Sequence, residues 1–172
     1  MSLKISPETF KKLPFNLDDY DYVVVGDGSG STIETSATFG CFCLDVARES
    51  IIEIEGYVSK GTVNQSEIAP ILSLLNYLES SKIAPPLKIL VISDSEVTVN
   101  CGNKKWQINH NKVLWGCIEY YRLIGFSIDF KWLPRNSNDL MKLADKRSKE
   151  IRILNKQKSK NLNKDFLFWR SK

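Results

Sequence analysis

The sequence contains few of the side chains that soft metal sites and many nucleophilic enzymes require. His110 is the only histidine, and none of the four cysteines forms a CxxC pair. A structural zinc site takes thiolate and imidazole ligands, usually at such short spacings, so this composition argues against one. It also argues against a nucleophile–histidine pair unless His110 supplies the base. We expect the cysteines to be reduced and mostly buried, as in an intracellular protein.

Long apolar stretches are also missing. No run approaches the roughly 20 residues that span a bilayer, and the N-terminus has no signal-peptide core. A chain of 172 residues with 42% hydrophobic residues fits one globular domain. We therefore expect a cytoplasmic or nuclear protein with no membrane partner, monomeric unless it belongs to a larger polyprotein or complex. Residues 1–20 are expected to form a poorly ordered leader before a domain at 21–150.

Positive charge is concentrated at the C-terminus. Residues 151–172 contain seven Lys and Arg residues against Asp165 alone, a net charge of +6. Since the whole chain carries +4, the other 150 residues carry −2. A basic tail on such a body indicates a polyanionic partner, and Phe166, Phe168 and Trp169 could stack on bases. The alternatives are a solvated tail that only aids solubility, or aromatic residues that pack back onto the domain.

Apolar periodicity predicts the element order βββ–α–β–α–β–α. The predicted elements are strands at 21–26, 36–46 and 50–58, a helix through 68–78, a strand at 87–93, a helix through 113–121, a strand at 126–133 and a helix from about 138 to 151. The first three strands have short links, which indicates an antiparallel meander. Strand–helix–strand connections are right-handed and pair strands in parallel, so the 87–93 strand should lie parallel to the first strand.

Two aspartates follow neighbouring strands of this predicted sheet. Asp27 comes after three valines, between Gly26 and Gly28, and Asp94 follows the apolar run LKILVIS. An aspartate between glycines is an ordinary turn residue, which is the simpler explanation of Asp27 taken alone. Parallel strands end at one edge of the sheet, however, where α/β folds place their sites. Both carboxylates should meet there, and they stay ionised together only with a positive charge between them.

Glu67 is a third candidate because it lies near the start of the first predicted helix. Asn64, three residues earlier, resembles the first residue of a capping box, which needs no catalysis. Pro70 favours a helix that starts nearer Ser66, because proline is best tolerated in a first turn. With that start, Glu67 is free to point over the sheet edge.

Four blocks of the sequence resemble the ribonuclease H family. They are DGS at 27–29, TVNQSE at 62–67 as the family's TxNxxE block, SDS at 93–95, and WLPRNSNDLMKLADKRS at 132–148, which resembles the last block of retroelement-type and archaeal-type members. Each block alone is weak, but the four occur in the family's order and on the expected elements. The resemblance covers residues 21–150.

The resemblance implies an α/β fold with a mixed five-stranded sheet, three antiparallel strands plus two parallel strands, and helices on both faces. It implies cleavage of the RNA strand of an RNA–DNA hybrid with two Mg²⁺ ions, for which Mn²⁺ could substitute. The implied catalytic and metal-binding residues are Asp27, Glu67, Asp94 and Asp145. Asp27 and Asp145 would hold the ion that activates water, and Asp27, Glu67 and Asp94 the ion at the leaving 3′-oxygen. Such a site needs no His or Cys, which agrees with the composition.

The fourth carboxylate has two candidates on the last predicted helix. Asp145 follows Ala144 and precedes Ser148, as in the family's final block. Asp139 lies near the helix start, as the family's last aspartate does, but helix capping and the helix dipole also favour an aspartate there. Six residues place the two about 240° apart around a helix, so only one can face the site. Asp145 is the preferred ligand and Asp139 the alternative.

The resemblance also implies residues that hold the RNA–DNA hybrid or another nucleic acid. These are Ser29, Thr62, Asn64, Gln65 and Arg135. A hydroxyl at Thr62 can bond a phosphate, and the Asn64 amide can reach a base edge or a 2′-hydroxyl, which distinguishes RNA from DNA. Turn or helix-cap roles explain Thr62 and Asn64 equally well.

The sequence departs from the family pattern in three places. The loop PRNSND lacks the mobile histidine that many cellular members carry before the final carboxylate, which puts the assistance of product release in doubt. Arg147 stands where the family often has leucine. The basic loop that grips hybrids in some members is not evident, and residues 151–172 could substitute for it.

Three functions remain open at this point. The first is an active ribonuclease H, stand-alone or part of a reverse-transcriptase polyprotein. The second is a non-catalytic module of this fold that binds nucleic acid or a partner protein, and the third is another nuclease or integrase of the superfamily. The presence of all four carboxylates favours the first over the second, and TxNxxE favours it over the third. The fold alone decides none of them.

Overall fold

The structure is a computed structural model that describes residues 5–30, 36–59, 61–159 and 169–171. The elements in chain order are α1 (Pro7–Lys11), β1 (Tyr22–Ser29), β2 (Ser36–Asp45), β3 (Ser50–Ser59), α2 (Val63–Ser80), β4 (Leu87–Ser93), α3 (Glu96–Gly102), α4 (Lys112–Leu123), β5 (Phe126–Trp132), α5 (Asp139–Ser159) and β6 (Trp169–Ser171).

The strands form one mixed sheet in the order β5-β4-β1-β2-β3-β6. Short links make β1, β2 and β3 an antiparallel meander. The crossovers through α2 and α4 make β4 parallel to β1 and β5 parallel to β4. This confirms the predicted five-stranded sheet of three antiparallel and two parallel strands. The short β6 extends it by pairing antiparallel with β3.

The sheet is covered on both faces, which explains the run of three valines in β1. Val24 packs on one face with α2, α3 and α4, while Val23 and Val25 pack on the other face with α1 and α5. All three valines are fully buried. A central strand with helices on both sides is apolar at every position, so its sequence shows no alternation.

Residues 5–20 differ from the expected poorly ordered leader, and for these residues that expectation is wrong. Phe10, Leu13 and Leu17 are buried against the face of the sheet that also carries α5. Lys11 on α1 also forms an ion pair of 3.0 Å with Glu49 in the β2–β3 turn. This apolar triplet makes the segment part of the core. Residues 1–4 lie outside the described residues.

The last helix runs past residue 150, after which the sequence predicts a basic tail. Helix α5 continues to Ser159, because residues 151–159 contain good helix formers and no Gly or Pro. Phe166 and Phe168 of the expected basic tail lie outside the described residues. No helix was predicted between the strand at 87–93 and the helix through 113–121, but α3 lies there, and the Ser95 hydroxyl accepts a hydrogen bond from the Thr98 N–H at its start.

Two further sequence expectations concern the cysteines and the membrane. All four cysteines are unpaired, and only Cys117 is exposed. Within the described ranges, no helix combines the length and the apolar character needed to cross a membrane.

The packing of the N-terminal segment gives a stability prediction. Phe10→Ala should lower the free energy of unfolding by about 3–5 kcal/mol, because it removes a fully buried ring. Urea unfolding followed by circular dichroism measures this change. Leu123→Ala, at a position 86% exposed, is the matched control and should have little effect. Equal stability of Phe10→Ala and the wild type would mean that this segment is not docked.

Candidate metal centre

Three carboxylates converge where β1 and β4 part. Asp27, Glu67 and Asp94 each offer an oxygen, and these oxygens all lie within 4.8 Å of one another. The parallel pairing of β1 with β4 ends at Val25 and Ile92, and Asp94 directly follows β4. Asp27 does not lie on a turn after the strand, as the sequence suggested. It lies within β1, because the antiparallel ladder with β2 continues to Ser29.

Glu67 reaches this edge because the glycines beside Asp27 let α2 lie directly on β1. A Cβ atom added at Gly26 would come within 2.6 Å of the Pro70 side chain. One added at Gly28 would overlap the Ser66 hydroxyl and lie 2.9 Å from the Glu67 backbone nitrogen. Real Cβ atoms do not make such contacts, so the glycines are required by close approach and not by turn geometry.

The start of α2 differs from the prediction by three residues. The helix begins at Val63 with Thr62 as N-cap, not near Ser66. Gln65 N–H donates to Thr62 Oγ1 at 3.3 Å, and Thr62 N–H donates to Gln65 Oε1 at 2.9 Å. The capping box is therefore Thr62–Gln65 and not Asn64–Glu67. This leaves the buried Glu67 side chain to face the other carboxylates, while Asn64 is exposed.

Arg135 supplies the positive charge that adjacent carboxylates require. Its Nε donates to Asp94 Oδ2 at 2.6 Å, and its Nη2 donates to Asp27 Oδ1 at 3.4 Å. Nη1 lies 3.8 Å from Asp145 Oδ1. Arg135 follows Pro134 in a turn that Ser137 closes through hydrogen bonds to the Pro134 carbonyl. One guanidinium thus contacts three carboxylates from β1, the end of β4 and α5.

Asp145 therefore lies beside the cluster, whereas Asp139 does not contact it. The Asp145 side chain is 17% exposed, and its Oδ2 accepts a hydrogen bond of 2.6 Å from Lys149. Asp139 lies in the first turn of α5. Among the described residues, no hydrogen bond or ion pair links Asp139 to the other carboxylates. The choice of Asp145 as a fourth ligand remains a prediction, and this arrangement agrees with it.

Two buried oxygens without a hydrogen-bond partner indicate that a cation fits this cluster. Within the described residues they are Glu67 Oε2 and Asp145 Oδ1. A buried carboxylate oxygen without a partner is costly, and oxygens from several carboxylates are the ligands of hard divalent cations. The residues present therefore fit a metal ion of this class.

The electrostatics of the cluster lead to the same conclusion. Burial, with the nearby Asp27 and Asp94 charges, raises the pKa of Glu67 to about 9, although the Gly28 N–H opposes this shift. Burial also raises the pKa of Asp27 to about 6, with Asp94 and Asp145 adding to it against a hydrogen bond from Ser148. Both shifts indicate that Arg135 alone does not offset the burial and mutual repulsion of these carboxylates.

The remaining predicted contact residue, Ser29, ends β1 two positions after Asp27. Its side chain is mostly buried, and its hydroxyl lies 3.5 Å from Nη1 of Arg152 on α5. Sequence reasoning named Ser148 only as part of the last block and did not predict its contact with Asp27. Trp106, which is 49% exposed, lines a groove with Asn64 and His110.

Comparison with known proteins identifies the fold. No protein-family model matches the chain, and no curated protein matches its sequence. The N-terminal RNase H domain of Rv2228c from Mycobacterium tuberculosis, solved as a fusion with maltose-binding protein, superposes with a TM-score of 0.66 at 18% identity over 81% of this chain and 99% of that one. LC11-RNase H1 in complex with RNA/DNA hybrid gives 0.64 at 18% identity over 77% and 99%. The protease–reverse transcriptase of prototype foamy virus gives 0.53 at 20% identity over 87% of this chain and 22% of that one.

The chain is an α/β protein with a carboxylate cluster at the edge of a mixed sheet. More specifically, it has the ribonuclease H fold, as the sequence resemblance implied. At these identities the superpositions establish the fold, and the chemistry must be argued from the site.

The raised pKa of Glu67 predicts how stability depends on pH without metal. The folded state binds the Glu67 proton more tightly than the unfolded state, so this contribution is complete below about pH 4.5 and is lost as pH rises through about 9. Glu67→Gln has no ionisable group at this position, so the variant does not lose this stability as pH rises. In EDTA at pH 8 it should raise the free energy of unfolding by on the order of 1–2 kcal/mol.

Urea unfolding at pH 5 and pH 8 tests this expectation. The exposed Glu53→Gln is the matched control and should follow the wild type at both values. If Glu67→Gln loses as much stability as the wild type between pH 5 and pH 8, Glu67 is not the group responsible.

Proposed function

We propose that this protein is a metal-dependent ribonuclease H that hydrolyses the RNA strand of RNA–DNA hybrids. The observation that carries the proposal is the convergence on this fold of Asp27, Glu67 and Asp94, whose oxygens lie within 4.8 Å of one another. The Arg135 guanidinium that contacts Asp27 and Asp94 also contacts Asp145. A cluster of buried carboxylates with unpartnered oxygens is a poor structural element but a suitable cation site.

The proposed metal ligands are Asp27, Glu67, Asp94 and Asp145. Two Mg²⁺ ions bound there, or Mn²⁺ in their place, would lower the pKa of a bound water and stabilise the leaving oxygen of the displacement. The protein's part is to hold the ligands in place. Asp27 is held from two sides, because Oδ1 faces Arg135 and Oδ2 accepts a hydrogen bond from Ser148. Glu67 is held by the close contact of α2 with β1.

The proposed nucleic-acid contacts fall into two groups. Arg135 is about half exposed, so its guanidinium is free to bind a phosphate once a cation neutralises the carboxylates. The exposed Asn64 is the best placed α2 residue for a base edge or 2′-hydroxyl. The side chains of Thr62 and Gln65 already cap α2, so we propose that they and the end of β1 at Ser29 position the surface around Asn64.

The proposed partner is therefore nucleic acid, bound by a monomer that is stand-alone or part of a larger polyprotein. Residues 151–172 would add phosphate contacts without sequence preference. The four unpaired cysteines support the expected reducing compartment, cytoplasmic or nuclear.

One observation favours a second candidate, a non-catalytic module of the same fold. Arg135 already neutralises part of the cluster without any metal. A protein that had lost catalysis could keep such an ion-pair network as structure and bind nucleic acid or a protein through the surrounding surface. The two candidates differ in whether hybrid cleavage depends on a divalent cation.

Cleavage of a labelled RNA–DNA hybrid tests the proposal directly. The wild type should cut the RNA strand in Mg²⁺ and not in EDTA. Asp27→Asn and Asp94→Asn should each reduce the rate by more than about 100-fold, since losing a ligand costs more than losing an outer hydrogen bond. Asp129→Asn, an exposed aspartate on β5, is the control and should cleave normally. Hybrid binding without cleavage in Mg²⁺ or Mn²⁺ would instead support the non-catalytic module.

The fourth ligand is tested by a matched pair on α5. Asp145→Asn should lose cleavage in Mg²⁺, because Asp145 Oδ1 is a buried oxygen beside Arg135. Asp139→Asn should keep a near-normal rate and lose at most about 1 kcal/mol of stability from the helix dipole. The rates of both variants are measured on the same hybrid. The reverse pattern would assign the ligand to Asp139.

A further inference from the structure

Ser148 joins the two elements that carry Asp27 and Asp145. It is fully buried on α5, where this helix crosses β1 and β2. Its hydroxyl lies 2.8 Å from Asp27 Oδ2 and 2.9 Å from the Asp145 carbonyl oxygen. A single hydroxyl thus spans the carboxylate on the strand and the helical turn that presents the other carboxylate.

Thr38 on β2 forms a second link to the same turn. Its hydroxyl lies 2.8 Å from the Ser148 carbonyl oxygen and 3.3 Å from the Ser29 carbonyl oxygen, and the residue is buried. Gly40 on the same strand permits the close approach, because a Cβ atom there would come within 2.9 Å of Arg147 Cβ. The position of α5 along the sheet is therefore fixed at Ser148 and its neighbours.

The hydrogen bond to Oδ2 determines how the Asp27 carboxylate is rotated. With Oδ2 held by Ser148, Oδ1 faces Arg135 and the other carboxylates. Without this donor the carboxylate could turn, and an oxygen already removed from water would lose its hydrogen-bond partner. Groups that orient metal ligands in this way typically change metal affinity or activity 10–100-fold when they are removed.

We propose that Ser148 is a positioning residue, which orients Asp27 and sets the place of Asp145 so that both can bind the same divalent cation. This inference rests on the proposed function only for the assignment of the carboxylates as metal ligands. It does not depend on which nucleic acid is cut.

Ser73 provides a matched control for the simpler view that Ser148 is an ordinary buried helix serine. Ser73 is also buried, lies on α2, and donates to the Ala69 carbonyl oxygen at 2.5 Å. No hydrogen bond described for Ser73 reaches a carboxylate. Replacing either serine by alanine removes the same atoms from a buried helix face, so only the Ser148 change should affect cation binding.

The experiment measures Mn²⁺ binding to the metal-free full-length protein by electron paramagnetic resonance. Ser148→Ala should weaken binding about 10–100-fold, while Ser73→Ala should match the wild type. Ser148→Cys keeps the shape of the side chain with a slightly larger atom but replaces the hydroxyl with a weak donor, so it should also bind Mn²⁺ more weakly than the wild type. Thr38→Val removes the second link and should weaken Mn²⁺ binding by a smaller factor.

Thermal unfolding in EDTA identifies the variants that fold. If Ser148→Ala does not fold, Ser148→Cys and Thr38→Val test the proposal.

The outcomes separate this inference from the proposed function. Weaker Mn²⁺ binding in the Ser148 variants supports the inference even if the wild type cuts no hybrid, in which case only the proposed function fails. Wild-type affinity in Ser148→Ala overturns it. Wild-type affinity in Ser148→Cys also overturns it, because the role would then be to fill space. A wild type that binds no Mn²⁺ overturns it as well, because there would be no cation to position.

Discussion

Carboxylates held below the protein surface repel one another, and the packing around this site compensates that repulsion. Glu67 and Asp27 are buried within reach of Asp94, where each negative charge disfavours the others. Water cannot screen charges at such positions, so the protein must compensate them by direct contacts. The contacts present are Arg135, the Ser148 hydroxyl and the Gly28 N–H. These contacts do not reach every carboxylate oxygen, and among the described residues Glu67 Oε2 has no hydrogen-bond partner.

The close approach of Glu67 to Asp27 explains why Asp27 lies between two glycines. A carboxylate on β1 meets Glu67 only if the first turns of α2 lie almost on the strand backbone, and any side chain at position 26 or 28 would prevent this. Pro70 helps, because its ring packs directly on Gly26. The glycines thus form a contact surface for a helix.

The sequence predicted the parts of this structure that depend on local pattern. The strand order, the crossovers and the place of Asp94 follow from apolar runs and connection rules, and those predictions are confirmed. The start of α2 was missed because Pro70 was assigned to the first turn, whereas the helix begins at Val63 and contains Pro70 in its interior. Packing of residues 5–20 was missed because a short apolar triplet carries little periodicity. Thr38 and Ser148 are 110 residues apart in the sequence, so their hydrogen bond is visible only in the tertiary structure.

The groups that compensate Asp27 differ in their freedom to move. Arg135 is about half exposed and comes from a loop, so its guanidinium can leave without opening the core. Ser148 is fully buried on α5, and its carbonyl oxygen accepts a hydrogen bond from Thr38 on β2. It therefore cannot move away from Asp27 unless the helix moves. A cation that enters the cluster therefore competes with Arg135 for charge but does not compete with Ser148. If the cluster binds a metal ion as proposed, Ser148 would keep Asp27 in the same orientation whether Arg135 or that ion neutralised it, and only the exposed Arg135 would need to move.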